Sequence, residues 1–589
     1  MRRSIYLSYI TALLCLCLSV NIAAQTGATY TNPVIAGDFP DPSVVRVGED
    51  YWATATTGGW MPHFAILHSR DLVNWRPVGA VFQTSPAWAK GDFWAPEISV
   101  DGGRFYVYYT ARRNDGAGKK GTLCVAVATS DAPSGPYTDH GPLVCQDIGS
   151  IDAFTFRDET NQRYLIWKED GNDRSQPTPI WAQTLSEDGI KLTGKPKQIL
   201  RNTAAWERHV VEGSFIVRRN GWYYHFYSGN ACCGRGCRYA LGVARSRTLL
   251  GKWEKNPANP ILAANAAWQC PGHGSIVTTP DGRDFLLYHS YRQRRDTFNI
   301  GREALLDEIH WDAATGWPTI NEGRGASTTA ASPFKVVEQP DETTFYDGFS
   351  KPELSAVWQW PMMHRQSARI DVLSEGHLLL APLASAPPDE WTGAVLARRT
   401  TSGDYTATTL VDMKGMTTGV RAGLAAYSWR DAAVGVAVGS GKVSVWRREG
   451  RSQQRLATAN APAAQSVYLR MIATDGERYR FAFSDNGRDW TELGEPVDGS
   501  YIEGARVALT TGGGSGAVGR FDWIRIAPAH PEKAGTSHRD TEAPRDAESR
   551  RQIGSTRVFL PPATAFFPLY LRVSVVNSGF ELMSGRRTV

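Results

Sequence analysis

The chain has 589 residues, with 64 Lys and Arg against 59 Asp and Glu, a formal charge of +5, and 42% hydrophobic and 11% aromatic residues. That length suffices for two large domains. The near-balanced charge, with basic residues scattered rather than striped, gives no footprint for nucleic acid, and no run of about 20 apolar residues is available to span a bilayer.

In chain order, Arg2 and Arg3 precede an apolar run, YLSYITALLCLCLSV, and then NIAAQ. This is the layout of a secretory signal over residues 1–24, cut near Ala24, and it predicts a secreted or periplasmic protein. From about residue 30 to 325, five short apolar stretches each begin with an acidic or histidine side chain: Asp41 in DPSVV, Glu97 in APEISV, Asp152 in SIDAFTF, Glu212 in VEGSFIV and His273 in PGHGSIV. They lie 56, 55, 60 and 61 residues apart. Ser69, Ser130, Ser186 and Ser246 keep step at 61, 56 and 60, each after a strand-like run and before a turn. A unit of this length reads as four short strands, as in EGSFIVRR, GWYYHFYSG, RYALGVARS and GKWEKN, so the repeat predicts a five-bladed β-propeller over 30–325.

After about residue 340 the repeat ends. Runs such as GHLLLAPL, YTATTLVDMK, AAVGVAVG, KVSVWRRE, RYRFAFS and FDWIRI predict a β-sandwich over 340–528, which makes the fold class all-β. Residues 529–589 begin with a charged, aromatic-free run, HPEKAGTSHRDTEAPRDAESRRQ, and read as a disordered tail. Beyond the signal stand six cysteines, Cys124, Cys145, Cys232, Cys233, Cys237 and Cys270. An oxidising compartment makes disulfides the expectation, and sequence does not choose among the pairings. The cluster ACCGRGC lacks the spacing of a zinc site and reads as a disulfide-braced loop after the Glu212 blade.

A propeller brings the innermost strand of every blade to one axis, so the five marker residues should converge. Buried carboxylates are costly unless paired, bound to a cation or used for proton transfer. Held close, they raise one another's proton affinity, and one protonated beside one ionised carboxyl group is what glycosidic cleavage requires. The plain alternative is that each acid caps a turn and faces water. Aromatic residues supply the other half of sugar recognition, because apolar sugar faces pack on rings. Trp60 follows a Gly-Gly pair in a loop, Trp94 stands just before the Glu97 strand, and Phe154 follows Asp152 at a spacing that keeps both on one strand face. These three are the platform candidates.

The segments GDFPDPSVVRVGEDYW, LHSRDLVNWRPVG, FWAPEISVDGGRFYVYYTA, SIDAFTF, VEGSFIVRRNGWYYHFYSG and GHGSIV, continuing to GREALLDEIHWDAATGWP, resemble glycoside hydrolase family 43 across the whole proposed propeller. The resemblance implies a five-bladed propeller that hydrolyses pentose-containing plant polysaccharides with inversion. It implies that Asp41 is the general base, Glu212 the general acid, and Asp152 the carboxylate that orients Glu212 and raises its pKa. An inverting pair needs about 6.5–9.5 Å between carboxyl groups. Asp38 and Glu207 are nearby competitors for the two roles. Arg302 resembles the family arginine that contacts a sugar hydroxyl, its bland reading being a salt bridge to Glu303 or Asp307. His273 resembles a channel histidine, held either by hydrogen bonds or beside a calcium ion, although calcium prefers oxygen ligands. No cofactor is required by this reading. Glu97 has a supporting or structural role.

The region after residue 340 resembles the concanavalin-like sandwich that follows such propellers. The expected protein is thus an exo-acting, inverting glycosidase releasing arabinofuranose or xylose from poly- or oligosaccharides. An endo-acting arabinanase and a non-catalytic carbohydrate-binding propeller are the alternatives, and oligomeric state stays open.

Overall fold

The computed structural model describes residues 28–529, apart from 117–118, 175, 294–296, 335–338, 340, 365, 372–375, 385–387, 415, 417–418 and 515. The signal over 1–24 and the tail over 529–589 lie outside the described residues, save for residue 529 itself. Among the described residues the regular elements are nearly all strands, with one four-residue α-helix, Thr297–Ile300. No described helix is long and apolar enough to cross a membrane.

Five four-stranded antiparallel sheets follow one another in the first half. Their innermost strands are Ser43–Val47, Trp94–Asp101, Ser150–Arg157, Val211–Arg219 and Trp268–Thr278, and each packs on the next. The fifth packs back on the first, so the sheets form a closed ring of five blades. Outer strands such as Thr138–Val144 alternate in burial, middle strands such as Leu123–Ser130 are buried on both faces, and apolar faces stacked blade on blade explain the ring. Phe226, Val243, Leu286, Tyr288 and Leu305, for example, form one core between blades 4 and 5.

Closure is made by the N-terminal segment. Thr29–Thr31 pairs with Thr329–Ala331, the Tyr30 hydroxyl donates to the Leu306 carbonyl, and the Asn32 amide donates to the Leu306 and Ser327 carbonyls. Residues 30–32 therefore tie the first blade to the last.

The second half is a sandwich. A six-stranded sheet, Asp389–Arg399, Arg506–Gly513, Arg421–Ser428, Ala432–Gly439, Lys442–Glu449 and Ser452–Asn460, faces a larger sheet built around Gly519–Pro528 and Tyr405–Asp412. Leu378, Leu396, Leu424, Val436, Leu469, Phe481, Leu509 and Phe521 fill the space between them. The all-β propeller-plus-sandwich reading is thereby confirmed.

The other face of the six-stranded sheet receives the propeller. Trp60–Met61 pairs with Trp360–Pro361, and Trp60, 1% exposed, packs among Trp391, Ala425, Tyr427 and Ala508. Burying an indole of this size contributes roughly 4–6 kcal/mol at about 25 cal/mol per Å². Gly59 is small by necessity here, since a Cβ on it would meet the Trp429 ring at 2.4 Å. Gly59→Ala is therefore expected to destabilise the protein by about 1–3 kcal/mol through overpacking, read as a lower thermal midpoint.

Three disulfides are present among the described residues: Cys124–Cys145, Cys232–Cys233 and Cys237–Cys270. The last ties the loop after the second strand of blade 4 to the inner strand of blade 5.

Candidate active site

Each inner strand reaches the ring axis through the same irregularity. Asp41, Ala95, Asp152, Gly213 and His273 all have positive φ, at 53°, 39°, 56°, 60° and 44°. In blades 2 to 5 the pairing register slips there, between Trp94 and Glu97, Ile151 and Phe154, Glu212 and Phe215, and Gly272 and Ser275. A bulge of this kind turns a side chain off the sheet surface and leaves its backbone N–H outside the ladder.

Those N–H groups need acceptors, and four blades solve the problem alike. The residue opposite the position before the bulge, on the second strand of the preceding blade or, for Thr56, two residues past its end, accepts the bond. His289 Nδ1 accepts from Asp41, Thr56 Oγ1 from Ala95, Thr110 Oγ1 from Asp152 and Ser228 Oγ from His273, at 3.1, 2.7, 3.3 and 2.8 Å. In blade 3 the corresponding residue is Lys168, the register partner of Ile151. An ammonium cannot accept a hydrogen bond. The Gly213 N–H goes instead to Asp152 Oδ2 at 3.1 Å, and Lys168 Nζ turns to Glu212 Oε2 at 2.6 Å, Asn172 Oδ1 at 3.1 Å and Asp170 Oδ1 at 3.2 Å.

Asp41, Asp152 and Glu212 are brought to one place. His273 Nδ1 lies 3.5 Å from Asp41 Oδ1 and 3.8 Å from Asp152 Oδ2, bridging the two. Arg302 Nη1 donates to Asp41 Oδ1 at 2.9 Å, and the Thr56 hydroxyl to Asp41 Oδ2 at 2.6 Å. Glu303 pairs with Arg292 instead, so Arg302 is turned inward rather than spent on its neighbour. The Tyr239 hydroxyl donates to Glu212 Oε1 at 2.8 Å, and its ring stacks on His289.

Charge matching decides the protonation states. Burial pushes the Asp41 carboxyl up, but Arg302 and the two histidines outweigh it and hold it well below the usual range. For Glu212, burial is likewise opposed and overcome by Lys168 and Tyr239, leaving it below its ordinary value. Two cations thus serve two carboxylates. Asp152 has no arginine or lysine of its own, and burial, with the Glu212 and Asp41 charges added, outweighs His273 and Lys168 and raises it to about 7. The expected role of Asp152 toward Glu212 is joined here by Lys168, which the sequence reading overlooked and whose charge favours the ionised form of Glu212 while Asp152 holds its proton more tightly.

The other candidates separate. Glu97 lies two residues past its bulge, in phase with Ser43 and Ser275 rather than with Asp41, and burial raises it to about 8. Trp94 sits one before its bulge, the phase of Glu212, and is half-buried. Phe154 does not share a face with Asp152, because the bulge between them breaks the alternation. It is 5% exposed and packs on Phe156 and Phe215 in the core between blades 3 and 4. Trp60 is covered by the sandwich and offers no ring face to a sugar.

Of the competing acids, Glu207 is paired with Lys255 and Tyr227 and accepts from the Thr203 and Ala204 N–H groups. Asp38 accepts from the Arg302 N–H at 3.1 Å. His273 is the residue beside which a channel calcium was expected. Its Nδ1 is turned to Asp41 and Asp152, and no group of three metal-ligating side chains was found among the described residues.

The comparisons with known proteins agree with this architecture. The profile described as "Glycosyl hydrolases family 43" matches residues 30–318, and "Beta xylosidase C-terminal Concanavalin A-like domain" matches residues 346–519. Xylosidase/arabinosidase 43B of Humicola insolens is 29% identical over 553 residues, covering 85% of this chain and 98% of that protein. Xylan 1,3-beta-xylosidase of a Vibrio species is 25% identical over 80% of this chain and 92% of its own length. Among solved structures, the GH43 BlXynB protein of Bacillus licheniformis superposes with a TM-score of 0.72 at 27% identity, covering 85% of this chain and all of that one. A buried carboxylate set on the axis of a five-bladed ring, a sandwich behind it and both domain profiles in this order place the chain in glycosyl hydrolase family 43, as a glycosidase.

Proposed function

We propose that the protein is an exo-acting, inverting glycosidase that removes single pentose units, xylose or arabinofuranose, from the ends or branches of plant cell-wall glycans. The observation that carries the reading is the meeting of three buried carboxylates on the ring axis: Asp41 under Arg302 Nη1 at 2.9 Å, His273 between Asp41 and Asp152, and Glu212 beside them on Lys168, with burial favouring the protonated form of Asp152. In the proposed reaction Asp41 takes a proton from water as that water attacks the anomeric carbon. The glycosidic C–O bond breaks, and the leaving oxygen takes the proton of the carboxyl pair through Glu212. Arg302 and Trp94 contact the sugar, and His273 fixes the spacing of Asp41 and Asp152.

The names of the relatives support pentose as the substrate class. Besides the two above, matches include a non-reducing end alpha-L-arabinofuranosidase of Bacteroides ovatus and an extracellular exo-alpha-(1->5)-L-arabinofuranosidase of Cellvibrio japonicus. The N-terminal signal reading supports export.

Assays on nitrophenyl β-xylopyranoside and α-arabinofuranoside, with xylo-oligosaccharides and linear arabinan alongside, test this. Monosaccharide as the sole product is expected, with NMR showing the inverted anomer first. Oligosaccharide products from arabinan would favour the endo-arabinanase reading, and saturable binding without turnover the non-catalytic one.

A further inference from the structure

The face of the sandwich turned to the propeller contains an electrostatic anomaly. Arg399 ends the strand Asp389–Arg399, Arg506 begins Arg506–Gly513, and the two are register partners. Like charges directly opposite across a ladder repel. Arg506 is 2% exposed, with its guanidinium 4.3 Å from the centre of the Trp60 ring, and the Arg399 guanidinium lies 5.2 Å from that of Phe39.

Four N–H donors of these side chains, Arg506 Nε and Nη1, Arg399 Nη1 and Trp60 Nε1, are shut off from water with no acceptor among the described residues. Every one of them is a donor. The Asp38 charge reaches both arginines, while its Oδ1 is already engaged by the Arg302 N–H. Glu342 also faces Arg399, but shares its charge with Arg398. Three arginines thus stand against two carboxylates, without a direct ion pair between them among the described residues.

Unpaired buried charge costs several kcal/mol, and burial lowers Arg506 to about 9. A bound anion would supply the missing acceptor, since two guanidinium forks beside an indole N–H suit a carboxylate or a halide.

We propose that Trp60, Arg399 and Arg506 form an anion site in the seam between propeller and sandwich, accepting a small monovalent anion such as a carboxylate or chloride. Its position gives it a route to the chemistry. Gly504, two residues before Arg506, abuts Asp38, and Asp38 holds the backbone of Arg302, whose side chain holds Asp41. The ligand is a free ion, because the donors are shut off from water and the sandwich covers Trp60.

Thermal melts of the full chain in chloride, acetate or formate, at constant ionic strength made up with a bulky sulfonate, test the site. The wild-type midpoint should rise and saturate with each small anion. Arg506→Met, relieved of the like-charge pair, should melt higher than wild type without anion and lose the saturable response, and Arg399→Met should lose it too. No saturable response in the wild type, or an equal one in both variants, would overturn the site.

Discussion

Asparagine in place of Asp41 is expected to lower kcat on a nitrophenyl pentoside by about 10²–10⁴-fold, the loss typical of a missing general base. Alanine in place of Glu212 should give a different signature: a comparable loss on alkyl glycosides and natural oligosaccharides, and a much smaller one on dinitrophenyl glycosides, whose leaving group needs no proton. The two variants separate the roles because the two carboxylates are ionised for different reasons. Asp41 is held by Arg302, which stays charged at any working pH, whereas Glu212 is held by Lys168 within a pair that shares a proton with Asp152. The folded Asp41 carboxyl lies below its ordinary value, so its ionised form adds stability that is present above that value and lost as pH falls. The gap in melting temperature between wild type and Asp41→Asn should therefore close on acidification. If Asp152→Asn, rather than Glu212→Ala, shows the leaving-group dependence, the acid role belongs to Asp152.

The ring of blades was legible because its period survives in two sets of markers. The phase within a blade was legible only in part. Asp41, Asp152 and His273 occupy the same bulge position, but matching acidic residues rather than bulges put Glu212 one residue and Glu97 two residues away from it. A bulge adds a residue without leaving a sequence signature where Ala95 or Gly213 carries it, and it breaks the period of two on which the placement of Phe154 rested. Trp60 failed for another reason. Gly-Gly-Trp does read as a loop, yet what covers it comes from strands more than 300 residues later, which no local pattern encodes.

Lys168 did leave a signal. Aligning the second strands of the five blades sets Thr56, Thr110, Lys168, Ser228 and His289 at one position, and the lysine is the sole member that cannot accept a hydrogen bond. The clustering of Cys232, Cys233, Cys237 and Cys270 suggested a braced loop, but pairing depended on the approach of blade 5 to blade 4.

Lys168→Met should be the most informative substitution outside the carboxylates. Wild-type activity should fall on the alkaline side with an apparent midpoint near 7, as the proton held at Asp152 is lost. Removing the Lys168 charge leaves Glu212 buried with Tyr239 as its remaining direct donor, so its proton affinity must rise, and the alkaline limb should move to higher pH. Breaking a buried pair by deleting one partner costs about 3–5 kcal/mol while the other stays charged. In the variant, the Glu212 value in the folded state exceeds that in the unfolded chain, so the neutral form is favoured. The stability this provides is present at low pH and disappears as pH rises through the new value. The melting temperature of Lys168→Met should accordingly approach that of wild type near pH 5 and fall away from it by pH 8, while Lys168→Arg, which keeps the cation, should retain the wild-type limb. A lysine that merely filled space would lower the melting temperature equally at every pH and leave the limb where it was, and that result would remove Lys168 from the proton-holding set.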